Sequence, residues 1–592
     1  MPDDEHPSAS AQVSAGQPWL AHYAPGVPHE IPITDEVLPH LLDESVRHFG
    51  ARLALEYFGT KITYAQLGSL VDRFARALVS LGVERGDRVA VVLPNCPQFP
   101  IAFYGALKAG ATVVPTNPLY TAHELQHQFG NSGAKVVILM DTMLGSMAEV
   151  WDDTPVAHVI TTGVEEYFPV PLALAYRLKT ASESIGKRKP STQQFKARGM
   201  LHTMKDLIGH AAHAGGFEVF ALPEAGKADD LAVLQYTGGT TGLPKGAMLT
   251  HRNLVTNARQ VWAWSELSSA EHHVTLCIAP FFHVYGLTVC MNMSVAYGAT
   301  MVLLPRFASH EALQAIERYK PTLFPGVPAM YMALARAVEK TPADLSSIRI
   351  CISGSAPLPL EVQQAFERVS GATVVEGYGL SEASPVTHAN PISAGRRIGT
   401  IGLPISNTDA AIRDLESGNF LPVGEQGEIV VRGPQVMRGY WQRPDETAET
   451  LLEGGWLRTG DIGSMSDDGY FTVVDRVKDM IIVGGLKVYP RQVEDVLFQH
   501  PKVAEATVFG LNSGPRGEEV VAVVVPKPDV QVTAQEIIEF CRKELAPYKV
   551  PRRVEFRESL PKTIVGKVLR RELRDELIAK QATPSGQGTS QA

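Results

Sequence analysis

The sequence predicts an α/β protein of more than one domain, and three observations carry that expectation. A chain of 592 residues is longer than a single hydrophobic core normally serves, so two or more domains are expected. Short apolar runs recur at 89–93, 136–140, 274–278, 301–304 and 348–352, each flanked by helical stretches or by Gly and Pro. Buried strands alternating with helices build a mostly parallel sheet. From about Thr408 the pattern changes to runs bounded by glycine, as in Gly424-Glu425-Gln426-Gly427-Glu428-Ile429-Val430-Val431-Arg432-Gly433, which predicts a smaller antiparallel β subdomain.

Taken in chain order, residues 1–28 are rich in Ser, Pro, Asp and Ala without periodicity and predict a disordered tail, as do residues 581–592. Within 62–83, Tyr64, Leu67, Leu70, Val71, Phe74, Leu78 and Leu81 recur at helical spacing, and a buried strand follows. After Asp475 a segment of about one mean domain size remains, with a strand at 520–525 and a helix near 537–545. It reads as a small mobile lid.

Composition narrows the class of partner. A formal net charge of -9 lacks the basic surplus that nucleic-acid binding requires, so small-molecule partners are expected and no nucleic acid. The five cysteines are scattered, never spaced C-x-x-C, and mostly sit in apolar runs such as Ile350-Cys351-Ile352. They read as small core residues in a reducing, cytoplasmic setting. The acidic start Met1-Pro2-Asp3-Asp4-Glu5 is unlike a secretory leader, and no uninterrupted apolar run reaches membrane-spanning length.

The most informative segment is Leu234-Gln235-Tyr236-Thr237-Gly238-Gly239-Thr240-Thr241-Gly242-Leu243-Pro244-Lys245-Gly246. Glycines let the backbone turn tightly with its N–H groups exposed, threonines donate hydrogen bonds, and one lysine adds charge, which suits a polyphosphate. A Walker A loop needs Gly-Lys-Ser/Thr, whereas Pro244 and Gly246 flank Lys245, so a P-loop ATPase is disfavoured.

This loop resembles the phosphate-binding signature of the adenylate-forming superfamily of acyl-CoA synthetases, peptide-synthetase adenylation domains and luciferases. Further stretches match the superfamily's motifs in order over about residues 40–575. They are Pro280-Phe281-Phe282-His283-Val284-Tyr285-Gly286, Ser353-Gly354-Ser355-Ala356-Pro357 and Glu376-Gly377-Tyr378-Gly379-Leu380-Ser381-Glu382. Downstream follow Trp456-Leu457-Arg458-Thr459-Gly460-Asp461, Val474-Asp475-Arg476-Val477-Lys478-Asp479-Met480 and Pro561-Lys562-Thr563-Ile564-Val565-Gly566-Lys567. Taken singly, His283 reads as a core histidine, Asp461 as a turn residue, and Lys567 as part of the solvated face of a helix marked by Leu569, Leu573 and Leu577.

The resemblance implies a large domain of two α/β sheets plus the antiparallel subdomain over 29–474, a hinge at 475–480 and a lid at 481–580. It implies ATP, Mg²⁺ and coenzyme A as nucleotide, metal and co-substrate. Thr237, Gly238, Gly239, Thr240, Thr241, Gly242 and Lys245 would cradle phosphates, and His283 would lie beside the acyl carboxylate. Gly354, Ser355, Ala356, Glu376, Gly377, Tyr378, Gly379 and Ser381 would enclose adenine, Thr237 and Glu382 would hold the metal, and Asp461 and Arg476 would hold the ribose. Lys567 would be the catalytic lysine, Lys478 would mark the hinge, and Gly484 and Gly485 would line the pantetheine channel, where a bulky side chain would obstruct. Gly238 and Ser381 stand where many relatives carry a hydroxyl residue and threonine, and Ile482 where some carry a catalytic lysine.

Two stretches, Gly433-Pro434-Gln435-Val436-Met437-Arg438-Gly439-Tyr440-Trp441 and Gly455-Trp456-Leu457-Arg458-Thr459-Gly460-Asp461-Ile462, resemble bacterial long-chain fatty acid-CoA ligases, as does 560–575. A medium-chain or aryl acid ligase, an acyl-AMP ligase serving a free carrier protein, and a luciferase-like oxidase share the nucleotide motifs. A catalytically dead acyl-binding scaffold would be expected to lack Glu382 or Lys567. An apolar patch of Tyr167, Phe168, Val170, Leu172, Leu174, Tyr176 and Leu178 is interleaved with or followed by Arg177, Lys179, Lys187, Arg188, Lys189, Lys196 and Arg198. This suits peripheral contact through 167–205 with an anionic membrane at its inner face, and equally an insertion helix packed on the body. A homodimer is a further partner arrangement the reading admits.

Overall fold

Runs of Val, Ile and Leu without polar alternation must be covered on both faces, so they become sheet interiors flanked by helices. The computed structural model describes residues 17–183, 199–210, 222–224, 226–237, 244–393, 395–484, 486–512, 518–563 and 567–582, and contacts divide it into two compact units. One comprises 17–409 with 431–457; the other comprises 410–430 with the residues from 458 onward.

The larger unit holds two sheets. The first has seven strands in the order Leu201–Thr203, His158–Thr162, Ala134–Met140, Arg88–Val92, Thr112–Pro115, Leu231–Thr237 and Lys245–Thr250. All neighbours are parallel except the last pair, which is antiparallel. The second sheet contains Val274–Cys277, Thr300–Leu303, Leu53–Tyr57 and Thr60–Thr63. Leu323 bridges Thr275 and Ile350 in parallel, which joins these strands to Ile350–Ser353, Thr373–Gly379, Val386–Ala389 and Leu403–Pro404. The helix expected in 62–83 is Tyr64–Ser80; Thr63 and Gln66 form a capping box, and Leu67, Val71, Phe74 and Leu78 are fully buried. The five cysteines are free and buried, as their apolar settings require.

The smaller unit carries most of a sheet ordered Asp409–Arg413, Gly427–Arg432, Leu457–Met465 and Phe471–Arg476, whose last two strands pair antiparallel. It also carries an α+β part. There the strands Val503–Asn512 and Glu518–Pro526 pair antiparallel, Arg553–Phe556 adds in parallel, and the helices Pro490–Gln499, Ala534–Glu544 and Arg570–Ala582 accompany them.

Two boundaries differ from the sequence reading. Residues 17–28, expected to be disordered, are packed: Trp19, Ala24 and Val27 are buried, the Tyr23 hydroxyl donates to the Pro404 carbonyl at 2.6 Å, and the Tyr23 ring meets Trp264. Trp19 sits in the 3-10 helix Pro18–His22, and Ala24 and Val27 in the irregular segment after it; both are too short to show a period, so no periodic signal marks them. The antiparallel strands, expected with the large domain to 474, group by contacts with the C-terminal residues. Arg491 explains this, donating from its N–H to Asp475 and from its guanidinium to the Val473 carbonyl, which staples the last strand to helix Pro490–Gln499. Residues 1–16 and 583–592 of the predicted tails lie outside the described residues.

Candidate functional site

Ligands in open α/β sheets sit in the crevice outside the carboxyl ends of parallel strands. The predicted motifs of the larger unit fall at such ends. His283 follows Val274–Cys277, Gly354 and Ser355 follow Ile350–Ser353, and Ser381 and Glu382 follow Thr373–Gly379.

Thr237 and Lys245 face each other as the last register pair of two antiparallel strands, so the glycine-rich loop is a hairpin connection rather than a strand-to-helix turn. Gly238, Gly239, Thr240, Thr241 and Gly242 lie outside the described residues. Asn131 anchors the hairpin: its side-chain oxygen accepts from the Tyr236 hydroxyl at 2.6 Å, and its carbonyl accepts from the Trp441 indole at 3.1 Å. The Lys245 ammonium forms an ion pair with Glu446 and lies 5.2 Å from the centre of the Tyr440 ring.

A circuit of contacts links the motifs. Gln235, beside Thr237, donates to the Phe282 carbonyl at 3.1 Å and so ties the hairpin to the His283 segment. His283 is half-buried, and its Nδ1 accepts from the Tyr285 N–H at 3.3 Å, which leaves Nε2 as the protonated nitrogen of the neutral ring, a donor. Beyond it, Gly286–Asn292 winds as a π-helix, a feature frequent at functional sites. The Tyr285 hydroxyl donates to the Ile352 carbonyl at 2.6 Å, next to Ser353 and Gly354. Ser353 pairs with Glu376 across parallel strands, and that second strand leads through Gly377, Tyr378 and Gly379 to Glu382.

Tyr378 packs edge-on against His388 at 5.7 Å, and burial pushes the His388 pKa down to about 3, so that neighbour stays neutral. Gly379 is required where it stands, because a Cβ there would lie 1.9 Å from the Pro385 carbonyl oxygen. One Glu382 carboxylate oxygen accepts from the Tyr440 hydroxyl at 2.7 Å. Tyr440 in turn pairs with Ala247, two residues past Lys245, and closes the circuit. Ser355 is exposed with a positive φ of 66°, and Ala356 is half-buried.

The smaller unit gathers the remaining predicted residues. Asp461 and Arg476 are register partners on adjacent strands, 3.3 Å apart as an ion pair, with Asp461 only 7% exposed. Lys478 is exposed in the turn that follows. Lys567 precedes helix Arg570–Ala582 rather than riding on its face. It closes a turn in which its N–H donates to the Thr563 hydroxyl at 3.1 Å and its carbonyl accepts from the Thr563 N–H at 2.8 Å. Burial, then the positive charges of Arg476 and Lys478, push its pKa down to about 7, against the pull of Asp461 and Asp479. Arg570, three residues on, spans Glu494 at 2.7 Å and Asp479 at 3.0 Å.

Gly484 turns the hairpin between Ile481–Val483 and Leu486–Val488 at φ +59°, and a Cβ there would meet nothing within 4 Å. The left-handed backbone at this position by itself favours glycine. Gly485 lies outside the described residues.

As for a metal, Glu382 and Thr237 offer hard oxygen donors of the kind Mg²⁺ takes. The Thr237 hydroxyl donates to the Lys245 carbonyl at 3.5 Å, which keeps its lone pairs for a cation. Among the described residues no group of three or more His, Cys, Asp or Glu is placed to hold an ion. The residues therefore fit a cation shared with nucleotide phosphates, not a cage built of protein alone. Tyr440, Glu446, Gln235 and Asn131 were not singled out as site residues from the sequence. Their only signal was position: Tyr440 lies in a stretch read for chain length, Gln235 in the segment read as the phosphate loop, and Glu446 and Asn131 carry no motif.

Comparison with known proteins agrees with this geometry. The description of the AMP-binding enzyme family matches residues 42–441, and that of the AMP-binding enzyme C-terminal domain matches 492–567. The chain belongs to the AMP-binding enzyme family. It is 44% identical over 560 residues to a long-chain-fatty-acid–CoA ligase of Bacillus subtilis, covering 95% of this chain and 98% of the relative. It is 38% identical over 568 residues to one of Escherichia coli, with 95% and 98% covered. Among solved structures, ATP-bound MatB from Rhodopseudomonas palustris matches at a TM-score of 0.78 with 30% identity, covering 92% of this chain and 99% of that one.

Proposed function

We propose that the chain is an AMP-forming acid–thiol ligase that converts a long-chain fatty acid, ATP and coenzyme A to acyl-CoA, AMP and pyrophosphate. The circuit joining Thr237, Lys245, His283, Gly354, Tyr378 and Glu382 at the carboxyl ends of parallel strands carries the reading. Near-full-length similarity to long-chain ligases supports the choice of acid.

A carboxylate is a poor electrophile, because its charge repels nucleophiles and oxide is a hopeless leaving group. In the first half-reaction the substrate carboxylate displaces pyrophosphate at the α-phosphorus of ATP, giving a mixed anhydride whose later leaving group is AMP. The chain's task is positioning and charge neutralisation. Lys245 and the threonines of the hairpin hold the outer phosphates, and Nε2–H of His283 donates to the reacting carboxylate. Tyr378 supplies a flat face for adenine, and Asp461 accepts from the ribose hydroxyls with Arg476 in support. Glu382 and Thr237 would hold Mg²⁺, which would supply charge neutralisation for the triphosphate. Lys567 offsets the negative charge that grows between carboxylate and α-phosphate. Residues 475–480, with Lys478, serve as the hinge between this step and attack by the coenzyme A thiol, for which Gly484 and Gly485 line the pantetheine channel.

The test is coenzyme A-dependent AMP release across acids from acetate to oleate, with 4-coumarate included. Highest kcat/KM with the C14–C18 acids supports the reading; highest with short or aryl acids contradicts it.

The finer reading of location is a cytoplasmic enzyme docked at the inner membrane surface. Among the described residues no helix is long and apolar enough to cross a membrane. Helix Val170–Glu183 presents Val170, Leu174 and Leu178 at 81%, 59% and 65% exposure, four residues apart and beside Arg177 and Lys179. The same helix is held to its own unit by Tyr176 against Phe168, and Phe168 against Tyr57. Lys187, Arg188, Lys189, Lys196 and Arg198 lie outside the described residues. Apolar residues beside basic charge favour an anionic lipid surface. Co-sedimentation with anionic vesicles should drop when Lys187, Arg188 and Lys189 are neutralised; unchanged binding rejects the reading. A homodimer is the simplest assembly, and sedimentation at micromolar concentration decides it.

A further inference from the structure

The two charged groups proposed to meet the triphosphate, Lys245 and Glu382, come from different sheets, and one side chain stands at both. Residues 438–441 run along the edge strand Lys245–Thr250: Met248 N–H donates to the Gly439 carbonyl at 2.9 Å, Trp441 N–H donates to the Gly246 carbonyl at 2.8 Å, and Arg438 N–H donates to the Met248 carbonyl at 2.9 Å. This pairing fixes the backbone of Tyr440 beside the phosphate hairpin. Its own N–H donates to the Thr447 hydroxyl at 2.9 Å, which further fixes the backbone and so the direction in which the Cα–Cβ bond leaves it.

That direction is across to the other sheet. The phenol donates to Glu382 at 2.7 Å, while the adjoining Met437 N–H donates to the Glu382 carbonyl at 2.7 Å, so both the carboxylate and the backbone of Glu382 are held from one segment. Tyr440 is 9% exposed. Its ring lies under the Lys245 ammonium, so the hydroxyl and the ring face act on different groups of the same site.

We propose that Tyr440 is a positioning residue for metal binding, its hydroxyl orienting the Glu382 carboxylate so that one lone-pair set is spent on the phenol and the rest face the cation. The proposal rests on the reading of Glu382 as a metal ligand. A carboxylate on a short turn has free rotation about its last bond, and a fixed donor removes that freedom before the cation arrives. Partners of this kind behind a ligand commonly change metal affinity by roughly 10- to 100-fold when removed.

Tyr440→Phe separates the two contacts, since phenylalanine keeps the ring beneath Lys245 and loses only the donor. The measurement is Mn²⁺ binding in the presence of ATP, counted by EPR on the whole protein, together with metal-free ATP affinity and the unfolding temperature. The expected result is an increase of about 10-fold in the Mn²⁺ dissociation constant, with metal-free ATP affinity and unfolding temperature unchanged. The Mg²⁺ concentration for half-maximal pyrophosphate exchange should rise in parallel, more than the KM for acid. Glu382→Gln provides the reference. If it weakens Mn²⁺ binding and Tyr440→Phe does not, the proposal for Tyr440 is wrong and Glu382 stands as a ligand. If neither variant moves Mn²⁺ binding, the metal reading of Glu382 fails and the proposal falls with it.

Discussion

Two lysines, one in each unit, are treated in opposite ways by their surroundings. Lys245 is half-exposed, paired with the Glu446 carboxylate and laid over the Tyr440 ring. Lys567 is partly buried among Arg476 and Lys478, and no carboxylate of the described residues reaches ion-pair distance, so its pKa falls to about 7. A lysine with a resident counter-ion can exchange that partner for a phosphate at little net cost. One crowded by cations and withdrawn from water gains most when anionic charge arrives beside it. The first suits ground-state holding of the nucleotide, the second a charge that matters as the reaction centre turns more anionic.

The comparison is broken most severely by Lys567→Ala. Acyl-CoA formation from oleate should fall by about 10² to 10³, while coenzyme A still reacts with preformed oleoyl-adenylate. Equal losses in both assays would deny the assignment of Lys567 to the first half-reaction.

The setting of Lys567 depends on Arg570, which holds Glu494 and Asp479 in the same unit. Arg570→Ala leaves those carboxylates facing one another with no cation between them, and should lower the stability of this unit by about 3 kcal/mol, read by denaturant unfolding. A cost near zero would mean that the network does not support the lysine's turn.

A smaller change sharpens the other half of the comparison. Glu446→Gln removes the counter-ion of Lys245, and since such half-exposed pairs are worth about 0–1 kcal/mol, ATP should bind up to about fivefold more tightly. Weaker binding would show that Glu446 positions Lys245 instead of competing with the triphosphate.

The pH profile gives the mildest test. Lys567 is charged below about 7 in the folded protein and neutral above it, so kcat/KM for the acid should decline as pH rises through that value. Arg476→Gln removes a neighbouring positive charge and should move the decline to higher pH. For stability the sign reverses: the unfolded chain keeps this lysine charged to about 10.5 and binds the extra proton over that interval. Its contribution to folding therefore becomes more favourable as pH rises from about 7 toward 10.5.

Much of this was legible in the sequence because strand-turn chemistry is local. The apolar run at 348–352, the glycine after it and the helical spacing from Tyr64 to Leu78 each state their own structure within a few residues. What was not legible is relational. Tyr440 meets Glu382 across 58 positions of sequence, and Glu446 meets Lys245 from a short helix with no motif. Trp19 and Tyr23 pack without any period to announce them. The positive φ of Gly484 is likewise invisible in the sequence, which shows a glycine but not the backbone angle it adopts.

The proposed chemistry requires that the carboxylate be activated as an acyl-adenylate before any thiol is involved. Exchange of labelled pyrophosphate into ATP by the wild-type protein, with oleate present and coenzyme A absent, tests it most directly. Oleate-dependent exchange that needs Mg²⁺ and is lost in Lys567→Ala is expected. Exchange that is absent without coenzyme A, or that persists undiminished in Lys567→Ala, would contradict it.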